Sequence, residues 1–541
     1  MQYKKLNKFF SPVPLCFFVF CVAGPLFFLL KSFGVDSNEI DRHLYQNILP
    51  EAIRNSFVLL LGVSIGAFVP GVFFAWVLVR YEFIGAKFFR WALLLPLSIP
   101  VYVMAFIYIG KLDYSGSLQT TLRNWLGSDF IFPNVRSAWG VVLVFSLSLY
   151  PYVYMLTREA LHSIPNKILE SSQLLGASSV KTFFRVVMPL IFPWVLSSLV
   201  IIWMECLADF GGVSAFNYNV MTTAIYKSWF DLDRFHTAAQ MSSFLLLPLV
   251  FLLILQQRLK SKKVGFKNAG QTRIRKIRLN GIKSLSLGLV LLLFWSLSFF
   301  IPLLTLMDWS WYALKEKAVL LKVEDVLHSL IQALSVSFTI VILSYCFIYA
   351  QRFNRWLWVK SFVQLSCLGY GIPGTVLAIA LYQYAGMIDR GLLYTLQTLL
   401  FGEGVSVWLL NGSLVLVLLA LSVRFMSVGY NSLENAEKRI SRSYDELSAI
   451  HKKPFKSLFA RVHFPQLKMA TLSAFMLVFV EVMKEMPITL MIRPIGWNTM
   501  AVRIYEYTSE GDWEQAAVPS LMIVIFSMIA IYLLNRVISK K

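Results

Sequence analysis

Twelve stretches of about 20 apolar residues recur along this chain, each long enough at ~1.5 Å per residue to cross ~30 Å of hydrocarbon as a helix. Lipid offers no partner to a bare backbone, so a spanning run must be a helix or a strand of a closed barrel. A barrel would be written in short alternating strands rather than continuous apolar runs. The runs cover 12–30, 56–79, 91–109, 138–157, 186–208, 237–257, 284–307, 328–351, 361–388, 405–423, 469–492 and 516–535. Only two contain Asp, Glu, Lys or Arg: 186–208 holds Glu205, and 469–492 holds Glu481, Lys484 and Glu485. With 57% hydrophobic and 15% charged residues among 541, the composition agrees with an all-α membrane protein.

The formal charge of +21 raises the question of nucleic acid, but its placement answers it. Residues 258–283, between the sixth and seventh runs, hold ten Lys or Arg, among them Lys262, Lys263, Arg273, Arg275 and Lys276, and no acid. The loops 80–90 and 352–360 are also basic, as are Lys4, Lys5 and Lys8 at one end and Lys540 and Lys541 at the other. Asp36, Glu39, Asp41 and Glu51 instead follow the first run. This is an orientation signal, and it predicts a multi-pass protein of the inner membrane with both termini and the linker in the cytoplasm, and no nucleic-acid partner. The first run is longer than a usual signal-peptide core and no small-x-small site follows it before Lys31, so it is expected to be retained. Cys16, Cys21, Cys206, Cys346 and Cys367 are scattered without a CxxC pair and indicate neither a disulfide framework nor a zinc site.

An internal repeat organises the chain. The segment Glu170-Ser-Ser-Gln-Leu-Leu-Gly176-Ala177-Ser178 runs on to Arg185-Val-Val-Met-Pro189, and Glu446-Leu-Ser-Ala-Ile-His-Lys452 runs on to Arg461-Val-His-Phe-Pro465. The differences 446 − 170, 461 − 185 and 465 − 189 all equal 276. The same offset pairs Glu205 with Glu481 and Asp209 with Glu485, and within each half the two acids stand at i, i+4 on one helical face. Ser98-Ile-Pro100 and Gly371-Ile-Pro373 match at a slightly different offset. The reading is two six-helix halves, 1–257 and 284–541, joined by the basic linker 258–283 and related by an axis along the membrane normal, with a pathway between them.

A Glu, a Gly six residues on and a Pro nineteen residues on, in a loop between two spans, predict a short helix, a glycine turn and a second helix that runs into the next span. This pattern resembles the EAA loop of ABC importer permeases, in loops 158–189 and 424–465. The resemblance implies the type I importer permease fold, with each loop's short coupling helix docking into one of two ABC ATP-binding subunits. ATPase coupling then falls to Glu170, Gly176, Ala177, Ser178, Arg185 and Pro189, and to Glu446, Lys452, Arg461 and Pro465; Lys452 stands where the first loop has its Gly. No phosphate-cradling GxxxxGK[ST] is present, since Gly110-Lys111 is followed by Leu112. The chain is accordingly expected to be no enzyme and to bind no cofactor, with ATP used by its partners.

The segments after the two loops, Met204-Glu-Cys-Leu-Ala-Asp-Phe-Gly-Gly and Phe479-Val-Glu481-Val-Met-Lys-Glu485-Met-Pro, resemble the fused permeases of ferric-iron importers over essentially the whole chain. That implies cargo delivered by a periplasmic binding protein. Ferric iron is hard and prefers oxygen ligands, so Glu205, Asp209, Glu481 and Glu485 are candidates for the pathway, with no fixed metal site. Two other readings stay open: docking of the binding protein, or neutralisation by Lys484. Tyr102, Tyr108, Tyr150 and Tyr154 are read as interface or packing residues. Importers of thiamine, phosphonate or polyamine share the fold, and an ion-coupled secondary transporter is the alternative from another class.

Overall fold

A computed structural model describes residues 13–31, 42, 44–127, 133–262, 276–316, 322–354, 356–393, 409–451 and 453–539. Lys452 and most of the basic linker lie outside them.

Among the described residues nine helices are long and apolar enough to cross a membrane, two further spans are bent pairs, and Pro14–Leu29 is a shorter apolar helix. Together these occupy the twelve predicted runs. Large apolar side chains such as Phe57, Ile65, Val69, Phe338 and Ile342 are exposed on the outside of the bundle, as a lipid-facing surface requires.

Two runs are not straight spans. The third is Ala86–Ser98 followed by Val101–Leu126 at 90°, and the ninth is Leu357–Gly371 followed by Gly374–Gly391 at 119°. The breaks fall at Pro100 and Pro373, whose rings push the preceding residues out of the helical region. Ile99 has φ −94 and ψ 120, and Ile372 has φ −96 and ψ 127. The eleventh run is also shorter than its apolar length: the helix Phe464–Lys484 stops, and Pro487–Ile492 starts a new one. Its counterpart Met188–Ala208 stops likewise before Gly211–Ala215. The tenth helix, Leu414–Glu437, continues well past the apolar run that ended at Val423.

The halves exchange their first helices. Val13–Lys31 packs on the second half, with Phe18 and Phe347 ring centres 5.6 Å apart and Phe20 and Tyr384 5.4 Å apart. Gly24 is what lets Tyr384 approach, since a Cβ there would lie 2.8 Å from its ring. In return the seventh span, Ile282–Lys315, packs on the first half: Phe294 lies 4.9 Å from both Phe74 and Tyr150, and Trp309 stacks on Phe106. Tyr108 donates to the Leu297 carbonyl. A short parallel pairing of Tyr81–Glu82 with Ile277–Arg278 pins the end of the linker beneath the first half and delivers the seventh span there. The sequence halves are therefore intertwined in space.

The repeat is also a repeat of contacts. Ser56 Oγ accepts from Met221 N at 3.2 Å, and Ser329 Oγ accepts from Met500 N at 2.8 Å. The offsets are 329 − 56 = 273 and 500 − 221 = 279, so the same tether recurs with a few residues of drift.

Candidate cargo path and coupling loops

A cavity of about 420 Å³ lies between the halves, and Glu205, Asp209, Glu481 and Glu485 all line it. The four carboxylates are not equivalent. Asp209 Oδ1 accepts from Gly212 N at 2.8 Å and Val213 N at 3.1 Å, and Glu485 accepts from Ile488 N at 2.9 Å and Thr489 N at 3.4 Å. Both therefore satisfy the open N–H groups at the start of the short helices that follow them. Glu485 also has Arg424 Nη1 3.5 Å away. Glu205 accepts from the Tyr370 hydroxyl at 2.8 Å, while Glu481 faces the cavity.

Lys484 lines the same cavity as the four carboxylates. Its Nζ donates to the Leu97 carbonyl at 2.6 Å, across to the other half, and no carboxylate lies within ion-pair distance among the described residues. Leu97 and Tyr370 are counterparts, 370 − 97 = 273, so each broken span sends one residue of its bend to the opposite half. Tyr108, Tyr150 and Tyr154 are buried and donate to backbone carbonyls, which places them in packing rather than at an interface. Tyr102 lines the cavity.

Sequence reasoning missed Tyr152, Tyr370 and Arg424, which also line the cavity. Tyr370 immediately precedes the repeated Gly371-Ile-Pro373 motif. Arg424 stands one residue past a run that was closed at its last apolar position, although the helix continues. Among the described residues no three His, Cys, Asp or Glu side chains converge to hold a metal ion.

A second, more polar chamber of about 390 Å³ is lined by Asn217, Asn219, Lys227 and Asp231. Phe210 lines both chambers. Its ring centre lies 4.6 Å from Tyr226 and 5.6 Å from Tyr505, which are 6.4 Å apart. These two tyrosines are counterparts from opposite halves, 505 − 226 = 279. The wall between the chambers is thus aromatic and shared by both halves.

The coupling loops sit at the end of the bundle that carries the Tyr81–Ile277 pairing. In the first, the helix Asn166–Leu174 presents Glu170 to solvent, and Leu174 and Leu175 are each 88% exposed. Gly176 has φ +76, the left-handed conformation its lack of a side chain permits. Ala177 N donates to the Ser172 carbonyl, and Ser178 Oγ accepts from Lys181 N to cap a helix that begins at Ser179. Arg185 is exposed within a wide turn, Phe183–Val187, and Pro189 occupies the first turn of Met188–Ala208, where its missing N–H costs nothing.

The second loop has the same plan without the glycine. Its helix Ser443–Ile450 presents Glu446 and exposes Leu447 and Ile450, a wide turn at Phe459–His463 contains Arg461, and Pro465 lies in the first turn of the next span. His451 closes the helix with φ −80, so no left-handed residue occurs among the described positions of this loop.

Residues 67–266, which include the first coupling loop, Glu205 and Asp209, match the family described as the binding-protein-dependent transport system inner membrane component. Over that stretch the chain is similar to the membrane components of binding-protein-dependent importers. Members of that family are inner-membrane components of transport systems that depend on a binding protein. The chain is 25% identical, over 94% of both chains, to the Fe(3+)-transport system permease protein FbpB 2 of Haemophilus influenzae. It is 30% identical over 28% of its own length to the molybdenum transport system permease protein ModB of Escherichia coli K12, covering 64% of that protein. A probable sulfate transport system permease protein cysT from Prototheca wickerhamii is 26% identical over 34% of this chain and 73% of its own.

Proposed function

We propose that this permease imports ferric iron, received from a periplasmic binding protein and released into the cytoplasm. The observation that carries the reading is the charge of the cavity between the halves: four carboxylates, Glu205, Asp209, Glu481 and Glu485, against the two cations Lys484 and Arg424. An acidic, oxygen-lined chamber suits a hard cation and repels an oxyanion. The full-length similarity to a permease named for Fe(3+) transport supports the same choice. The similarities to permeases named for molybdenum and sulfate cover only about a third of the chain.

Two ATP-binding subunits engage the loops around Glu170 and Glu446, one each, and their closure on ATP moves the halves against one another. The loop end of the bundle is cytoplasmic, and the Lys and Arg bias of the sequence assigns the basic linker and both termini to the same compartment. Glu205 and Glu481, counterparts facing one chamber, are the carboxylates that meet the cargo, while Asp209 and Glu485 hold the chamber's shape.

Deletion of the gene in its host, followed by labelled-iron uptake, tests the cargo. Iron uptake should fall and be restored by the intact gene, with molybdate and sulfate uptake unchanged. Loss of oxyanion uptake with iron uptake intact would assign the cargo to the other class.

A further inference from the structure

Five positions that surround the first coupling helix and its neighbouring spans are apolar, four of them buried and Trp76 half-buried: Trp76, Val79, Leu161, Leu169 and Val187. Their counterparts in the second half are Tyr349, Arg352, Glu437, Asp445 and His463, at offsets of 273 for the first two and 276 for the other three. Every one of the five has become polar or ionisable. The aromatic contact is retained, since Trp76 packs on Phe183 and Tyr349 on its counterpart Phe459.

The five groups form one network. Arg352 reaches Asp445 at 2.7 Å and also pairs with Glu437, its side chain only 4% exposed. Asp445 lies 3.1 Å from His463 Nε2, and His463 Nδ1 shares a 2.7 Å hydrogen bond with the Tyr349 hydroxyl. Asp445 stands on the coupling helix Ser443–Ile450, while its partners come from the eighth span (Tyr349 and Arg352), the end of the tenth (Glu437) and the start of the eleventh (His463).

Burying charges in this way contributes little to stability compared with apolar packing of the same volume, and the first half shows that apolar packing is available here. What a buried charge network supplies is a fixed geometry, because removing one partner strands the others. The second loop also lacks the glycine turn that shapes the first.

We propose that Asp445 is the positioning residue of the second coupling loop, locking its helix to three spans by charge, so that the two ATPase contacts transmit motion through different chemistry. The inference rests on the coupling role of the two loops. Asp445 moves with the helix that the ATPase grips, and Arg352 and His463 carry that displacement into the eighth and eleventh spans. The eleventh span ends at Glu481 and Lys484, in the cargo chamber.

The test uses the full chain reconstituted with its ATPase and binding protein. Asp445→Leu should lower cargo transported per ATP hydrolysed by about tenfold, because it strands Arg352 and His463. A variant carrying Y349W, R352V, E437L, D445L and H463V together, which copies the first half, should restore protein yield but only part of the transport per ATP. The matching change in the first half, Leu169→Ala, should alter yield more than coupling. Unchanged transport per ATP in Asp445→Leu, or full recovery in the fivefold variant, overturns the proposal. Cysteines at Leu175 and Ile450, cross-linked to the ATPase, distinguish the two levels. If both cross-link while Asp445→Leu has no effect, the docking reading stands and the charge lock fails; if neither does, the docking reading itself fails.

Discussion

Tyr370, at the bend of the ninth span, donates a 2.8 Å hydrogen bond to Glu205 at the end of the fifth, so a residue of one half holds a carboxylate of the other inside the chamber between them. Such a bond breaks when the halves separate, which makes it sensitive to the transport cycle. Tyr370→Phe removes the donor and leaves Glu205 without its partner in a buried setting, at a cost of about 1–3 kcal/mol. Iron uptake is expected to fall while the complex with the ATPase still assembles; unaltered uptake kinetics would remove this bond from the cycle.

The carboxylates should sort into two classes. Glu205→Gln and Glu481→Gln are expected to reduce uptake with little effect on melting temperature. Asp209→Asn and Glu485→Gln weaken the starts of Gly211–Ala215 and Pro487–Ile492, at about 1 kcal/mol each, and should lower melting temperature first. Thermal melting and uptake measured on the same four purified variants check the division.

Gly176 at φ +76 has open space where a Cβ would go. The penalty of Gly176→Ala is then conformational alone, about 1–2 kcal/mol for a left-handed residue with a side chain. ATPase stimulation by loaded binding protein is expected to drop, whereas Gly110→Ala, where Trp309 closes on the Cβ position at 2.7 Å, should instead reduce yield. Equal coupling in Gly176→Ala and the wild type would show that the turn is not needed.

Burial alone would raise the Asp445 carboxyl, but its contacts with His463 and Arg352 outweigh that and hold it below the usual carboxylate range. A group depressed in the folded state stabilises fully above its unfolded value, and that contribution is lost as pH falls through the ordinary range towards the lower folded value. The melting-temperature gap between wild type and Asp445→Asn should therefore be widest near neutral pH and close on acidification below about pH 4. A gap independent of pH would mean that charge at Asp445 contributes nothing.

The aromatic wall makes an accessibility prediction. A cysteine at Glu481, in a background with the five native cysteines replaced, should react slowly with an impermeant thiol reagent applied from the side of Tyr226 and Tyr505. Replacing Phe210 and Tyr505 with Ala should speed it. Equal rates would place the barrier elsewhere.

Much of this was legible in the sequence because membrane spans and repeats are long-range patterns. Apolar length located the spans, and one offset located Glu170 with Glu446 and Glu205 with Glu481. Hydropathy is blind to direction, so it could not show the bends at Pro100 and Pro373, although a proline inside a run was the available sign. It could not reveal that Val13–Lys31 and Ile282–Lys315 cross to opposite halves, which is settled by shape at sites such as Gly24 and Phe294. Arg424 was missed because an apolar window closes at the first charge, and the five polar positions of the Asp445 network because they lie on four separate helices and only the fold gathers them.

The central claim is that a hard cation crosses the acidic chamber between the halves, driven by ATP. Vesicles containing the complete transporter and binding protein, supplied together with labelled ferric iron and labelled molybdate, measure this directly. The account predicts iron accumulation that requires ATP and is lost in the Glu205→Gln, Glu481→Gln double variant while ATP hydrolysis persists. Accumulation of molybdate instead, or iron uptake undiminished in the double variant, contradicts it.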